Sequence, residues 1–291
     1  MKTLIDYVSF APLVEGILQV REEMHDSEQL TTLANQLLDI LFDEDDWEKF
    51  EKLVEANNDF LTETLGDYRD CYLAAVFDFG FSRTLELYAA RAIPESVLAE
   101  IMSDFDIHAR NFWNTHGKPG IDVYSWLALH VRARIFKFGR LQVEVSKFNP
   151  KAFGDAFSEC DDCLAVHIPA IGPLNLGECK ASMERGLAFA REHFPERDFK
   201  TFTLSSWLLA AEHHEVLSES ANILKFGNLF EIIGSANCSH PSIYGWLFGF
   251  DKKKDDWKSH ADLAKSSLQI GAHRLIEEER WFVDRNGIRV I

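Results

Sequence analysis

No proline occurs between Pro12 and Pro94, and glycine interrupts that stretch only at Gly16, Gly66 and Gly80. Proline breaks a helix interior and glycine weakens one, so a segment nearly free of both is built for consecutive helices. The apolar spacing agrees. Leu30, Leu33, Leu37, Leu38 and Leu41 recur at steps of three and four, which gives one apolar helix face. The run Asp43-Glu44-Asp45-Asp46 follows, just before Trp47, Phe50 and Leu53 of the next helix. Acids in a first turn favour the positive end of the helix dipole. The plain reading of this run is a solvated helix start; the sharper one is a site for a cationic partner. The pattern predicts a helical bundle without a sheet of its own over residues 1–120.

Charge divides the chain in the same way. Residues 1–120 hold 24 Asp/Glu against 9 Lys/Arg, whereas residues 121–291 hold 23 against 21. An acidic first half repels nucleic acid and anionic membranes, which are bound through clustered Lys and Arg, so neither is an expected partner. The near-neutral second half can accept a phosphorylated small molecule. The first residues lack the apolar core and cleavage site of a signal peptide, and no apolar run reaches the ~18 residues a membrane span needs. The five cysteines, Cys71, Cys160, Cys163, Cys179 and Cys238, read as reduced thiols. Together these features point to a cytoplasmic protein.

The clearest break is His116-Gly117-Lys118-Pro119-Gly120, and the domain boundary is expected there, with domains 1–120 and 121–291. A helix is expected from Asp122 to Phe136, then a strand over Gly139–Val145 with Leu141, Val143 and Val145 on one side and Arg140, Gln142 and Glu144 on the other. Cys163–Pro169 reads as a buried strand, and Pro169–Pro173 as a turn. Asn175 and Glu178 make a capping-box pattern at the start of a helix whose inner face carries Cys179, Met183, Leu187 and Ala190. Further strands are expected at Phe199–Leu204 and Leu229–Ile233, helices at Glu212–Phe226 and Trp257–Glu279, and a hairpin-like end over Asp284–Val290.

Several chemistries can be set aside on spacing. Cys160-Asp161-Asp162-Cys163 has the C-x2-C spacing of a zinc knuckle but no second ligand pair, and adjacent His213-His214 diverge on a helix. G-x-S-x-G, the P-loop and G-x-G-x-x-G are absent. What remains is the turn that leads into the capped helix. A helix start offers free N–H groups and a positive dipole end, a ready site for an anion. Ile168, Pro169, Ala170, Ile171, Gly172, Leu174, Asn175, Leu176 and Gly177 are the residues expected to bind there. His167, at the end of the strand before it, and Glu144, on a neighbouring strand, are the candidate proton acceptors. The plainer readings are a buried histidine bonded to backbone and a glutamate paired to Arg140. Ser205, Ser206, Trp207 and Asn222 are candidates for the ligand's wall, with core packing for Trp207 and a local hydrogen bond for Asn222 as the plainer alternatives.

The segments Gly139–Glu144, Val166–Pro169, Ser206–Leu209 and Asn222–Phe226 come in an order and spacing that resemble bacterial acyltransferase-domain proteins, in which a helical N-terminal domain precedes a GNAT-like C-terminal domain. Met102–Ile107 and the Gly117–Gly120 break resemble the end of that helical part. The resemblance spans nearly the whole chain. It implies an α+β fold, all-helical and then a mixed-sheet α/β domain, in which the strand ending at His167 splays from its neighbour. The splay would admit the pantetheine arm of an acyl-CoA, with acetyl-CoA the expected donor, as a cosubstrate that is not permanently bound. The pyrophosphate would sit on the turn already singled out as an anion site.

The chain departs from typical GNAT enzymes in lacking Q/R-x-x-G-x-G/A after the Val166 strand and a tyrosine in Glu212–Phe226. Two functions are therefore carried forward. One is direct acyl transfer to a small-molecule amine or hydroxyl, expected to lie between the domains, with His167 or Glu144 taking its proton. The other is an inactive GNAT-like module that binds an acyl or phosphorylated ligand. A zinc hydrolase is a distant third. The acceptor, the acyl length and the oligomeric state are left open by the sequence. Elemental analysis of the purified protein should find no stoichiometric zinc; zinc that is lost in Cys163→Ser would overturn this.

Overall fold

The structure is a computed structural model that describes residues 2–235, 241–249 and 251–291. It divides into two compact units, Met1–Phe136 and Lys137–Ile291. The first unit is built of helices up to the strand that starts at Ile135, with α1 (Ala11–Asp26), α2 (Glu28–Asp39), α3 (Trp47–Ala56), α4 (Asn58–Leu65), α5 (Tyr72–Phe79), α6 (Phe81–Ala90), α7 (Glu95–Met102), α8 (Asp104–His116) and α9 (Tyr124–Val131). The centre is α5, on which every residue from Tyr72 to Asp78 is buried. A helix that is apolar all round must be surrounded by others, and α1, α2 and α9 pack against it. From α1 come Leu13, Ile17, Val20 and Met24, and from α2 come Leu30, Leu33, Leu37 and Leu38.

The one acid on α5, Asp78, is buried, and it is matched by Arg21 at 2.6 Å and by the N–H of Ile5 at 3.1 Å. The acidic run is also used within the unit. Asp46 caps α3 by accepting from the Lys49 N–H at 2.9 Å. Asp45 adopts a left-handed conformation with φ 56° and is bridged by Arg132 and Arg134. Burial alone would raise the carboxyl pKa of Asp45, but hydrogen bonds from the two arginines outweigh it and hold the pKa below its usual value.

The units divide after the expected boundary because α9, beyond the glycine break, packs on α5 and α7. The helix expected over Asp122–Phe136 is shorter than that. It ends at Val131, Ala133 turns to φ 52°, and β1 (Ile135–Lys137) begins.

The second unit adds β2 (Gln142–Lys147), α10 (Pro150–Phe153), β3 (Asp162–His167), α11 (Leu176–His193), β4 (Phe199–Ser206), α12 (His213–Val216), α13 (Asn222–Gly227), β5 (Glu231–Ser235), α14 (Pro241–Phe248), α15 (Ser267–Glu277) and β6 (Arg285–Val290). The strands form one sheet in the order β1-β2-β3-β4-β6-β5. β3 and β4 run parallel; β2/β3, β4/β6 and β5/β6 are antiparallel. The connection that a parallel pair requires is α11. It lies close on β2: a Cβ at Gly186 would come within 2.7 Å of the Val143 side chain.

The polar side of the strand is itself covered, since Gln142 and Arg140 are both buried. Three further expectations need correction. The helix over Glu212–Phe226 is two short ones, because Leu217 is extended and a turn follows it. The helix over Trp257–Glu279 is a 3-10 segment, Lys254–Leu263, followed by α15. Residues Asp284–Val290 make no hairpin; β6 is inserted between β4 and β5. Among the described residues no helix is long and apolar enough to cross a membrane.

The sheet's polar corner is Asp162, which joins Lys147 at 2.7 Å, Arg197 at 2.7 Å and the N–H of Asp198 at 3.2 Å. Burial by itself would raise its carboxyl pKa, but the bonds from Lys147 and Arg197 dominate and lower it. The stability that Asp162 contributes is therefore present above the ordinary carboxylate range and lost as pH falls through the lowered value. Asp162→Asn should cost about 1–3 kcal/mol at neutral pH. In urea melts the gap to the parent should close as pH falls; a gap constant with pH would contradict this origin.

Candidate functional site

The register places the site. β3 and β4 pair from Asp162↔Phe199 to Ala165↔Thr203 and no further, although β3 continues to His167 and β4 to Ser206. Each strand keeps its outer neighbour: Gln142 stays opposite His167, and Arg285 opposite Ser206. The two parallel strands therefore part at their C-terminal ends. At that parting lies a cavity of about 860 Å³. Ligands of α/β folds bind beyond the carboxyl ends of parallel strands.

Most of the residues singled out in the sequence meet here. His167, Ile168, Pro169, Ala170, Gly172 and Leu174 line the cavity from the β3 side, Ser205, Ser206 and Trp207 from the β4 side, and Asn222 from the start of α13. Ile171, Asn175, Leu176 and Gly177 do not line it. The side chain of Asn175 accepts the N–H groups of Gly177 at 2.9 Å and Glu178 at 3.2 Å. This is the forward half of the expected capping box, and it occupies two of the first-turn donors that the sequence reading assigned to an anion.

Glu144 is behind the wall, on the same face of the sheet as Gln142, Ala165 and His167. Its Oε2 lies 2.9 Å from His167 Nε2. The pair is diagonal across two antiparallel strands, a spacing within reach of long side chains. A carboxylate only accepts, so Nε2–H is the donor in this pair. The side chain of Glu144 is 17% exposed and that of His167 30%, so the pair is shielded but reachable.

Arg140 takes a role the sequence did not suggest. It donates to three main-chain carbonyls of the turn: Nε to Pro173 at 2.9 Å, Nη1 to Pro169 at 3.0 Å and Nη2 to Gly172 at 3.2 Å. Burial lowers its pKa. Side-chain–backbone bonds of this kind leave no trace in residue spacing.

Trp207 is both core and wall. It lines the cavity while its ring packs on Phe282 at 5.5 Å and His213 at 5.7 Å. His213 is buried, and that burial pushes its pKa down to about 4. It is therefore neutral, and its Nε2–H donates to the Trp207 carbonyl at 2.9 Å. Apolar lining is added by Leu217, Ile223, Trp246, Leu247 and Leu268, none of which was anticipated as a site residue. The segment Ile243–Phe248 is apolar without a clear period, so spacing could not assign it to a helix.

Cys163 is buried, which pushes its thiol up to about 11, while Cys160 is exposed. Among the described residues no three His, Cys, Asp or Glu gather as metal ligands. Cys238 lies outside the described residues.

The parted parallel strands, the capped helix after the first of them and the turn between them are the geometry of one fold family. A family model described as GNAT-like C-terminal domain matches residues 135–288, and one described as N-acyltransferase N-terminal domain matches residues 2–133. The chain belongs to the GNAT-like acyltransferases. Solved structures with the same fold include an acyltransferase in complex with decanoyl-CoA and teicoplanin, at 23% identity and TM-score 0.67 over 77% of this chain and 68% of that one. Another is an acyltransferase mutant in complex with octanoyl-CoA, at 22% identity and TM-score 0.66 over 78% and 68%. A third is an acyltransferase in complex with CoA and 10C-teicoplanin, at 23% identity and TM-score 0.67 over 77% and 68%. Comparison with curated proteins finds none that matches. In this GNAT-like chain Asn175→Ala should lower stability by about 1 kcal/mol through loss of the cap. Calorimetry would measure it, and an unchanged melting temperature would mean that the cap bonds carry no weight.

Proposed function

We propose that the second unit transfers an acyl group from acyl-CoA to an amine or hydroxyl of a small-molecule acceptor. The observation that carries this reading is the parting of β3 and β4 into a cavity lined both by a backbone turn and by apolar side chains. The turn suits phosphate. The gap suits the pantetheine arm, which carries amides able to bond the backbone groups the two strands no longer share. The wall of Leu217, Ile223, Trp246, Leu247 and Leu268 exceeds the need of an acetyl group and suits an acyl chain of several carbons.

His167 takes the acceptor's proton, and Glu144 holds the ring and stabilises the imidazolium that forms. The acceptor's nitrogen or oxygen bonds to the acyl carbon, the C–S bond breaks, and the proton that His167 took is passed to the thiolate, so that CoA leaves as the thiol and the imidazole is regenerated. Most of the rate would come from holding acceptor and thioester together.

A second reading is a binding module without turnover. It is favoured by one observation: no tyrosine is among the described residues that line the cavity, so the usual proton donor for a leaving thiolate is missing.

Thermal shift against thioesters of increasing chain length should show the largest stabilisation for a medium chain, and an acetyl-CoA optimum would refute the assignment of the wall. Release of free thiol with an amine acceptor separates the enzyme from the module. His167→Ala should cut kcat/KM about 10²–10⁴-fold while octanoyl-CoA still stabilises the protein; retained turnover would remove His167 from the mechanism.

A further inference from the structure

The turn from Pro169 to Leu174 has no secondary structure of its own, yet its direction is fixed by a single side chain. Arg140 is 9% exposed and spends three of its N–H groups on the carbonyls of Pro169, Gly172 and Pro173. A guanidinium carries five such donors in a rigid fork. Three of the five are thus committed to the turn, and Arg140 is itself among the residues that line the cavity.

In a trans peptide the C=O and the following N–H point in opposite directions. When the carbonyls of Pro169 and Pro173 face Arg140, the N–H groups of Ala170 and Leu174 face away from it. Ala170 and Leu174 both line the cavity, and neither amide finds an acceptor among the described residues. The amides of Ile171 and Asn175 are already taken by the carbonyls of Pro169 and Pro173, and those of Gly177 and Glu178 by Asn175. The helix start that follows the turn thus has little left to offer an anion. The donors that are left lie in the turn, and Arg140 decides where they point.

We infer that Arg140 builds the binding site for the diphosphate of the cosubstrate, by fixing the turn so that the Ala170 and Leu174 amides are aimed at it. This rests on the acyl-CoA reading above. It replaces the glycine-rich pyrophosphate signature that the sequence lacks with a long-range contact: a cation just before β2 organises a turn after β3.

The test compares octanoyl-CoA with octanoyl-pantetheine, which keeps the thioester and the arm but lacks the diphosphate. Arg140→Lys keeps the charge and loses the fork. It should weaken octanoyl-CoA at least tenfold in calorimetry and change octanoyl-pantetheine by less than twofold. Equal loss for both ligands, or no loss for either, overturns the inference. Parent protein that binds both ligands equally also overturns it and leaves the acyl-CoA reading standing, whereas a parent that binds neither removes that reading itself. Where the variant does not fold, nitrogen-15 spectra of the parent decide. The Ala170 and Leu174 amides and the Arg140 Nε–H should shift with octanoyl-CoA and stay in place with octanoyl-pantetheine; unmoved resonances would refute the assignment.

Discussion

The second unit depends on a broken hydrogen-bond ladder. Two parallel strands stop pairing at Ala165 and Thr203 while each goes on along its other neighbour. Unpaired backbone groups inside a sheet are costly unless something else bonds them. The sheet tolerates the gap because β2 and β6 hold the outer edges of the parted strands, and because Asp162 with Lys147 and Arg197 pins the end where β3 and β4 still meet. The cavity is the direct result, and every side chain given a functional role lies on its wall or directly behind it.

Charge inside the structure follows one pattern. Ionic groups, buried or at the surface, are placed where a chain segment has no regular bonding of its own. Arg140 holds a turn, Asp45 fixes a left-handed residue through Arg132 and Arg134, and Asp78 accepts from the N–H of Ile5 and pairs with Arg21. In each case a group with several donors or acceptors substitutes for a helix or ladder. Removing one partner of such a set leaves several polar groups unsatisfied at once.

Periodicity made much of this legible. The helices of the first unit, β2, β3, β4 and the Asn175 cap all follow from local spacing, and so do His167 and the turn beyond it. The elements that were missed are those whose boundaries are set at a distance. The long helices expected over 212–226 and 257–279 carry adequate apolar spacing, and tertiary packing breaks them. Arg140 looked like a surface partner for Glu144, because nothing in the spacing of a sequence shows that a guanidinium will meet three carbonyls of a segment far along the chain. The Glu144–His167 pair was nearly legible: both residues were placed on strands bordering one cleft, but the diagonal register that joins them belongs to the sheet alone.

The insertion of β6 between β4 and β5 also orders events in time. Thr201 on β4 is opposite Val290, so the central part of the sheet waits for a strand translated long after its partner. The first unit ends at Phe136, and all of its helices have been translated before β2 is made, so it can assemble while the ribosome is still at work. The second cannot. Until β6 arrives, β4 and β5 present raw edges and the pocket has no stable floor, which makes this interval the one in which a nascent chain would most need a chaperone.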